Sequence, residues 1–179
     1  MTISHIISNE TIDPQKVQKA TAIILKLQAA LKQNITQGAG PFLAAIYDEK
    51  DNLIAQTANS VIHTHCSHNH AEMNAIRLAE EKLNTYDLAP HHLRLYVTAE
   101  PCLMCLGGIM WSGIQEVYYG VPSKRVEEIT GFDEGFKPDW LEEFKKRGIT
   151  VYGNIEPKAG EEVLQAYVDG GHHIYKPTR

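Results

Sequence analysis

Two short segments of the 179-residue chain carry the side chains best suited to chemistry. The segment "HTHCSHNHAEMN" contains His70 followed by Glu72, and the segment "TAEPCLMC" contains Cys102 and Cys105. One histidine and two cysteines are ligands that zinc prefers, and three protein ligands leave the fourth position to water, as in catalytic zinc sites. We therefore predict that His70, Cys102 and Cys105 bind one catalytic Zn²⁺ per subunit.

Glu72 is predicted to act beside the metal as a proton carrier. Histidine, a glutamate two residues later and a downstream PCxxC form the arrangement found in zinc-dependent base deaminases. Each of these residues also has an ordinary explanation that does not involve catalysis. Glu72 also fits a capping box with Asn69, worth about 1 kcal/mol. His70 also fits a surface position, and a CxxC pair alone also fits a redox pair or half of a structural zinc site.

The other histidines of the first segment, His63, His65 and His68, are predicted to be loop residues. Cys66 has no CxxC neighbour and is given no zinc role. A rival hypothesis is a non-catalytic zinc protein, in which Cys66 or His68 supplies a fourth ligand and closes the site.

Helices and strands alternate around these segments. Behind Asp13 and Pro14, apolar residues recur at three- and four-residue steps and predict a helix over 14–34. Further helices are predicted from Asn69 to Leu83, at "CLMCLGGIMW" with Pro101 at its start, at "DWLEEFKKR" and at "EEVLQAYV". Strands are predicted at "FLAAIYD", "LIAQTANSVI", "LRLYVTA", "EVYYGV" and "GITVYG". This alternation indicates an α/β fold with helices on both faces of a mixed sheet.

Composition predicts one ordinary domain over residues 1–179, with 43% hydrophobic and 22% charged residues. The three cysteines argue against a disulfide framework. A net charge of −5 without a basic run disfavours nucleic-acid binding. The N-terminal segment lacks the pattern of a signal peptide, and no apolar stretch approaches the length of a membrane span. We expect a soluble, cytoplasmic protein with no membrane partner.

With these motifs in place, the chain resembles the cytidine deaminase superfamily and, within it, the bacterial guanine deaminases, over nearly its whole length. The pieces that carry the resemblance are "GPFLAAI", "TANSV", "HAEMNAI", "TAEPCLMCLGGIMWSGI" and "GFDEGF". The HxE and PCxxC motifs are shared with cytosine, cytidine and tRNA-adenosine deaminases, whereas "GFDEG" and the long tail favour the guanine branch. Better-known members have FDD where this chain has FDE, and the FDE branch includes enzymes that act on ammeline.

The resemblance implies a three-layer α/β/α cytidine deaminase-like fold with a mixed sheet of about five strands, a homodimer, and a C-terminal tail that covers the active site. It also implies a purine as the small-molecule substrate. The residues implied to contact that purine are Asn59, Phe42, Trp111, Ala71 and Tyr175, with core packing as the alternative for the two aromatic residues Phe42 and Trp111.

The predicted reaction is zinc-dependent hydrolysis of guanine to xanthine and ammonia. Guanine presents a ring N–H beside the reacting amino group, and a carboxylate can accept both. Glu134 is the candidate for this second carboxylate, with Asp133 as the fallback and a solvated acidic turn as the alternative. Rival substrates are guanosine, cytosine and ammeline; a tRNA adenosine is a further rival that the acidic composition disfavours.

Overall fold

The computed structural model of the chain describes residues 5–7, 13–36 and 38–176. Strands and helices alternate along most of this range. In chain order the elements are β1 (His5–Ile7), α1 (Pro14–Thr36), β2 (Leu43–Tyr47), β3 (Leu53–Ala58), α2 (Val61–Thr64), α3 (Ala71–Leu83), a 3-10 helix (Ala89–His91), β4 (Arg94–Ala99), α4 (Leu103–Ser112), β5 (Glu116–Val121), α5 (Ser123–Thr130), α6 (Trp140–Lys146), β6 (Thr150–Gly153) and α7 (Pro157–Asp169).

The described strands form one mixed sheet in the order β1-β6-β5-β4-β2-β3. Strand β2 is antiparallel to both β3 and β4, so β3 and β4 run in the same direction. Strands β4, β5 and β6 are parallel to one another. Therefore the segments that follow β3, β4 and β5 all leave the sheet at the same edge, where ligand sites of α/β sheets usually lie.

Different helices cover the two faces of the sheet. Side chains along a strand alternate between the faces, and β4 follows this rule. Leu95 and Val97 join the core beneath α3, α4 and α6, whereas Tyr96 joins the core beneath α1 and α7. On the α1 face Tyr96, Tyr118 and Tyr152 stack across three neighbouring strands, with ring centroids 4.6 and 4.7 Å apart. The result is the predicted three-layer α/β/α fold.

The predicted fold class is confirmed, and strands β2 to β6 are the five that the sequence indicated. The additional strand β1 pairs antiparallel with β6 at the edge of the sheet. Helix α1 begins at the predicted Pro14, and the carboxylate of Asp13 accepts a hydrogen bond from the backbone N–H of Gln15 (2.8 Å), as expected of a cap. No helix in residues 13–36 or 38–176 is long and apolar enough to cross a membrane.

Three local predictions were wrong. The strand expected at "LIAQTANSVI" ends at Ala58, because the side-chain oxygen of Asn59 accepts a hydrogen bond from the Val61 N–H (3.2 Å) and turns the chain into α2. Pro101 precedes α4 instead of opening it, since Cys102 is the N-cap. The sequence analysis also missed α5, where charged residues alternate with the buried Ser123, Val126 and Thr130.

Candidate active site

The first part of the site lies at the start of α3. His70 is the N-cap residue, with an extended backbone and no capping hydrogen bond from its side chain, so its imidazole is available to a metal. The capping-box alternative for Asn69 is wrong, because Asn69 precedes the N-cap and its amide donates to the Thr64 hydroxyl at 2.8 Å. Glu72 lies in the first turn of α3, where the helix dipole favours a carboxylate.

A buried asparagine on α3, Asn74, holds the preceding loop in place. Its amide nitrogen lies 3.1 Å from the backbone oxygen of Ala58, 3.0 Å from the Ser60 hydroxyl and 3.2 Å from the backbone oxygen of Asn69. These contacts fasten both ends of the loop to the helix. Asn59 and His70, which flank that loop, are therefore presented from a fixed backbone.

The second part of the site lies at the start of α4. Cys102 is the N-cap residue, and Cys105 lies in the first turn and is buried. Helices α3 and α4 pack side by side against the same face of the sheet. Gly108 allows this close approach, since a Cβ atom there would lie 2.5 Å from the sulfur of Met73 on α3.

The packing of the two helices brings three metal-binding atoms together. Nδ1 of His70 lies 3.5 Å from Sγ of Cys102 and 3.7 Å from Sγ of Cys105, and the two sulfur atoms are 3.6 Å apart. In a tetrahedral zinc site with the usual Zn–S and Zn–N bond lengths, ligand atoms lie about 3.5–3.8 Å from one another. The three residues therefore fit zinc in both chemistry and spacing.

The two thiols differ in acidity. The hydrogen bond from Cys105, followed by that with His70, lowers the pKa of Cys102 to about 4, against the opposing effect of burial. The same hydrogen bond and burial raise the pKa of Cys105 well above its usual value. Of the two sulfur atoms, Cys102 is therefore the one that more readily forms the thiolate, which is the form that binds zinc.

Glu72 is buried beside this cluster, with 6% of its surface exposed. Burial raises the pKa of Glu72 to about 7. Its carboxylate lines the same cavity as His70 and Cys102. Position and chemistry together make Glu72 able to move a proton next to the metal site.

The cavity has a volume of about 780 Å³, enough for a small heterocycle. Aromatic rings form one side: Phe42 lies 5.5 Å from Phe132, and Phe132 lies 4.9 Å from Tyr175, measured between ring centroids. Phe42 lines the cavity and also packs against the core, and its contact with a purine stays a prediction. These rings pack edge-on or tilted against one another and form an apolar wall, which suits a planar, aromatic ligand.

Asn59 lies on the wall of this cavity and is almost fully buried. Its amide nitrogen donates a hydrogen bond to the Tyr175 hydroxyl at 2.6 Å. Burial raises the pKa of Tyr175, so the ring remains a neutral phenol. The structure thus brings the C-terminal tail, through Tyr175 and Lys176, to the cavity.

Glu134 lines the cavity from the loop that follows α5, and its side chain is 11% exposed. Its Oε2 accepts hydrogen bonds from the Ser123 hydroxyl (2.6 Å) and the Lys137 ammonium (2.8 Å). Burial raises the pKa of Glu134, and the charge of Lys137 opposes that rise. A second ionisable carboxyl group therefore shares the cavity with Glu72.

The remaining predicted site residues lie in different surroundings. Asp133 lines the cavity but is exposed, and its Oδ1 accepts a hydrogen bond from the Gly135 N–H (2.9 Å). Ala71 is fully buried and is not among the residues that line the cavity; its carbonyl accepts a hydrogen bond from the Thr57 hydroxyl. The direct substrate contact implied for Ala71 is thus not supported.

The prediction that Trp111 forms a wall of the pocket is wrong for this chain's own cavity. Its side chain is 90% exposed. Trp111 lies nine residues after Cys102, about 13 Å along the axis of α4, and about 200° around the helix from the buried Ile109. The core-packing alternative is equally wrong.

The rival structural zinc site lacks its fourth ligand. Among the residues that the structure describes, the cluster with metal-ligand spacing consists of His70, Cys102 and Cys105 alone. Cys66 and His68 lie outside it, with the Cys66 sulfur 3.9 Å from Nδ1 of His68 in the loop before α3.

Sequence reasoning missed several residues around the cavity: Asn74, Glu100, Ser123, Phe132 and Lys137. Glu100 belongs to the quoted "TAEPC" motif and Phe132 to "GFDEGF", so proximity to a motif was available as a signal. Ser123 and Lys137 carry no such local signal. Their positions follow only from the tertiary packing of the segment after β5 against the loop after α5.

The fold and the site define a zinc-dependent deaminase. The model of the cytidine and deoxycytidylate deaminase zinc-binding region matches residues 16–121, more than half of the chain, and the chain belongs to this family. The guanine deaminase of Bacillus subtilis (strain 168) is 34% identical over 135 residues, which are 75% of this chain and 76% of that protein.

Two solved structures match nearly the whole chain. NE0047 in complex with 2,6-diaminopurine superimposes with a TM-score of 0.81 at 34% identity and covers 96% of each chain. The guanine deaminase from Nitrosomonas europaea superimposes with a TM-score of 0.77 at 34% identity, covering 93% of this chain and 97% of that chain. The resemblance found in the motifs therefore extends over the complete fold.

Cys102→Ala and Cys66→Ala form a matched pair that tests the metal site. We expect Cys102→Ala to retain less than about one tenth of the zinc bound by the unchanged protein, because a catalytic zinc has few protein ligands to lose. Cys66→Ala keeps its zinc, since Cys66 lies outside the cluster. Elemental analysis after gel filtration measures zinc per chain, and equal zinc in the two variants would contradict this assignment.

Proposed function

We propose that the protein hydrolyses guanine to xanthine and ammonia. The observation that carries the proposal is the presence of two carboxyl groups, the buried Glu72 and the half-buried Glu134, in one aromatic-walled cavity. Glu72 lies beside the three metal-binding residues, and Glu134 faces the cavity from the loop after α5. Similarity to guanine deaminases over most of the chain supports the same substrate.

Glu134 is proposed to recognise guanine through hydrogen bonds. The purine presents N1–H and the 2-amino group side by side, and one carboxylate accepts hydrogen bonds from both. This contact places C2, the reacting carbon, between Glu134 and the His70–Cys102–Cys105 cluster. Glu134 is then in position to relay the second proton of the attacking water to the amino nitrogen as it leaves as ammonia.

Glu72 is proposed to carry the proton of the attacking water. The chemistry that zinc supplies when bound, held by His70, Cys102 and Cys105, is the acidification of water, whose pKa falls from about 15.7 to about 7. Glu72 accepts the water proton at its carboxylate and delivers it to the ring nitrogen next to C2. Oxygen from water ends on C2, and guanine plus water give xanthine plus ammonia.

Asn59 and the C-terminal tail are proposed to bind the purine and exclude water. The hydrogen bond that the Asn59 amide now gives to the Tyr175 hydroxyl is available to a purine acceptor once the tail shifts. Phe42, Phe132 and Tyr175 provide flat apolar surfaces for the ring. We regard residues 1–179 as one deaminase domain with this tail as its cover.

We further propose a cytoplasmic homodimer that acts in purine catabolism, with one zinc ion and one zinc-coordinated water per subunit. An apolar outer face of α4 supports the dimer: Leu103 is 46% exposed and Trp111 is 90% exposed. Because Leu103 also lines the cavity, a subunit contact on this face would lie beside the active site.

Ammonia release from a panel of substrates tests the proposed function directly. Zinc-loaded protein is expected to release ammonia from guanine faster than from guanosine, cytosine, cytidine, adenine, ammeline or an adenosine-containing tRNA stem-loop. Chelated, metal-free protein serves as the control and should be inactive. If the protein releases ammonia from another compound of the panel but not from guanine, the zinc chemistry is retained and the proposed substrate is wrong.

Replacing Glu72 tests the proton carrier. We expect Glu72→Gln to bind zinc normally but to lower kcat for guanine about 10²–10⁴-fold, the usual contribution of a general acid–base group. Glu81→Gln is the matched control, because Glu81 lies on the same helix but is exposed and paired with Arg77. Full activity in Glu72→Gln would exclude the mechanism.

The neighbouring residues Glu134 and Asp133 can be separated by one substitution each. Glu134→Gln is expected to lower kcat/KM for guanine about 10²–10⁴-fold through loss of the proton relay. Asp133→Asn is expected to cost at most about tenfold, because an exposed carboxylate makes a weaker, solvent-screened contact. Steady-state kinetics measure kcat/KM for both variants. If Asp133→Asn lowers kcat/KM more than Glu134→Gln does, Asp133 is the residue that contacts the substrate.

A further inference from the structure

A half-buried group of charges surrounds the proposed substrate-binding carboxylate. The Lys137 ammonium is 2.8 Å from Oε2 of Glu134 and 3.3 Å from Oε1 of Glu100, and it also contacts the Ser123 hydroxyl. The side chains of Lys137, Glu134 and Glu100 are only 11–14% exposed. Glu134 and Glu100 line the cavity, whereas Lys137 and Ser123 are not among its lining residues.

The two donors bind the same oxygen of Glu134. Ser123 and Lys137 both contact Oε2, and no described residue donates a hydrogen bond to Oε1. Oε1 is therefore the oxygen left for a ligand. The two donors to Oε2 hold the carboxylate in one orientation, as in preorganised binding groups.

The same lysine joins two separate parts of the chain. Glu134 and Lys137 belong to the irregular segment between α5 and α6, which has no regular secondary structure to fix it. Glu100 belongs to the segment between β4 and α4 and lies two residues before Cys102. Its other oxygen, Oε2, accepts a hydrogen bond from the Ser123 N–H (3.0 Å), so Glu100 is itself anchored to the start of α5.

We propose that Lys137 is a positioning residue that fixes the Glu134 carboxylate relative to the His70–Cys102–Cys105 cluster. Its ammonium ties Glu134 to Glu100, and through Glu100 to the backbone that carries Cys102. The inference rests on the proposed function in one respect only, namely that Glu134 binds the ring N–H and amino group. Lys137 is not among the residues that line the cavity, so it would act through Glu134.

A double-mutant cycle tests this role. Lys137→Met is expected to lower kcat/KM for guanine about 10–100-fold, since displacing a reacting group by about 1 Å can cost 10²-fold. In the Glu134→Gln background the same substitution should cost less than about threefold, because residues that act through one another are not additive. Lys137→Arg keeps the charge and should recover part of the loss.

Matched controls separate positioning from a general effect on the fold. Lys124→Met changes an exposed lysine next to Ser123 and should leave kcat/KM unchanged. Zinc per chain and far-UV circular dichroism should be the same in all variants. If Lys137→Met does not fold, Ser123→Ala takes its place in the cycle, because it removes one donor to Oε2 without changing the charge.

Binding of 8-azaguanine, which has the same ring N–H and amino pair as guanine, gives a readout that does not need turnover. In the Glu72→Gln background, Lys137→Met should weaken this binding about tenfold, and the loss should vanish when Glu134→Gln is also present. Equal losses with and without Glu134 would overturn the positioning role. Guanine turnover by the unchanged protein is measured separately. If that protein does not deaminate guanine, the proposed function is contradicted, and the binding measurements still test the role of Lys137.

Discussion

Strands β3, β4 and β5 run in one direction, and this shared direction decides where the site forms. Asn59 follows β3, Cys102 follows β4 and Ser123 follows β5, so all three reach the same edge of the sheet. Phe42 arrives there from the opposite direction, directly before β2. A reversed strand would send its residue to the far edge, more than 15 Å away for strands of this length.

Helix packing then brings the site residues at this edge of the sheet close to one another. Helices α3 and α4 start there, lie on the same face of the sheet and place their first turns together. The positive ends of both helices favour anionic groups, which suits the thiolate of Cys102 and the carboxylate of Glu72. Because His70 and Cys102 are the N-cap residues of packed helices and Cys105 lies in a first turn, their spacing is set by helices anchored in the core.

The local sequence was sufficient to predict site residues that lie in a short motif at the start of a helix. Cys102 and Cys105 were recognised from the CxxC spacing, His70 from the glutamate two residues after it, and the strands from apolar or alternating runs. The helix α5 escaped notice because its buried face consists largely of small or polar residues, Ser123 and Thr130. Lys137 escaped for a different reason: its partner Glu100 lies 37 residues earlier in the chain, and only the tertiary fold makes them neighbours. Trp111 was misplaced because its role was carried over from the family resemblance, which does not show which side of α4 faces this chain's own cavity.

The cavity is built from two kinds of backbone. The His70–Cys102–Cys105 cluster and Glu72 lie at the starts of helices that pack on the main core, whereas Glu134 and Tyr175 are carried by irregular segments that pack around a second, smaller core. If Glu134 and Tyr175 bind the substrate as proposed, mutations in those segments change the substrate contacts while the starts of α3 and α4 stay in place. One loop and one tail could then adapt to a new amino-heterocycle, provided that the Glu134 carboxylate stays within reach of the departing amino group.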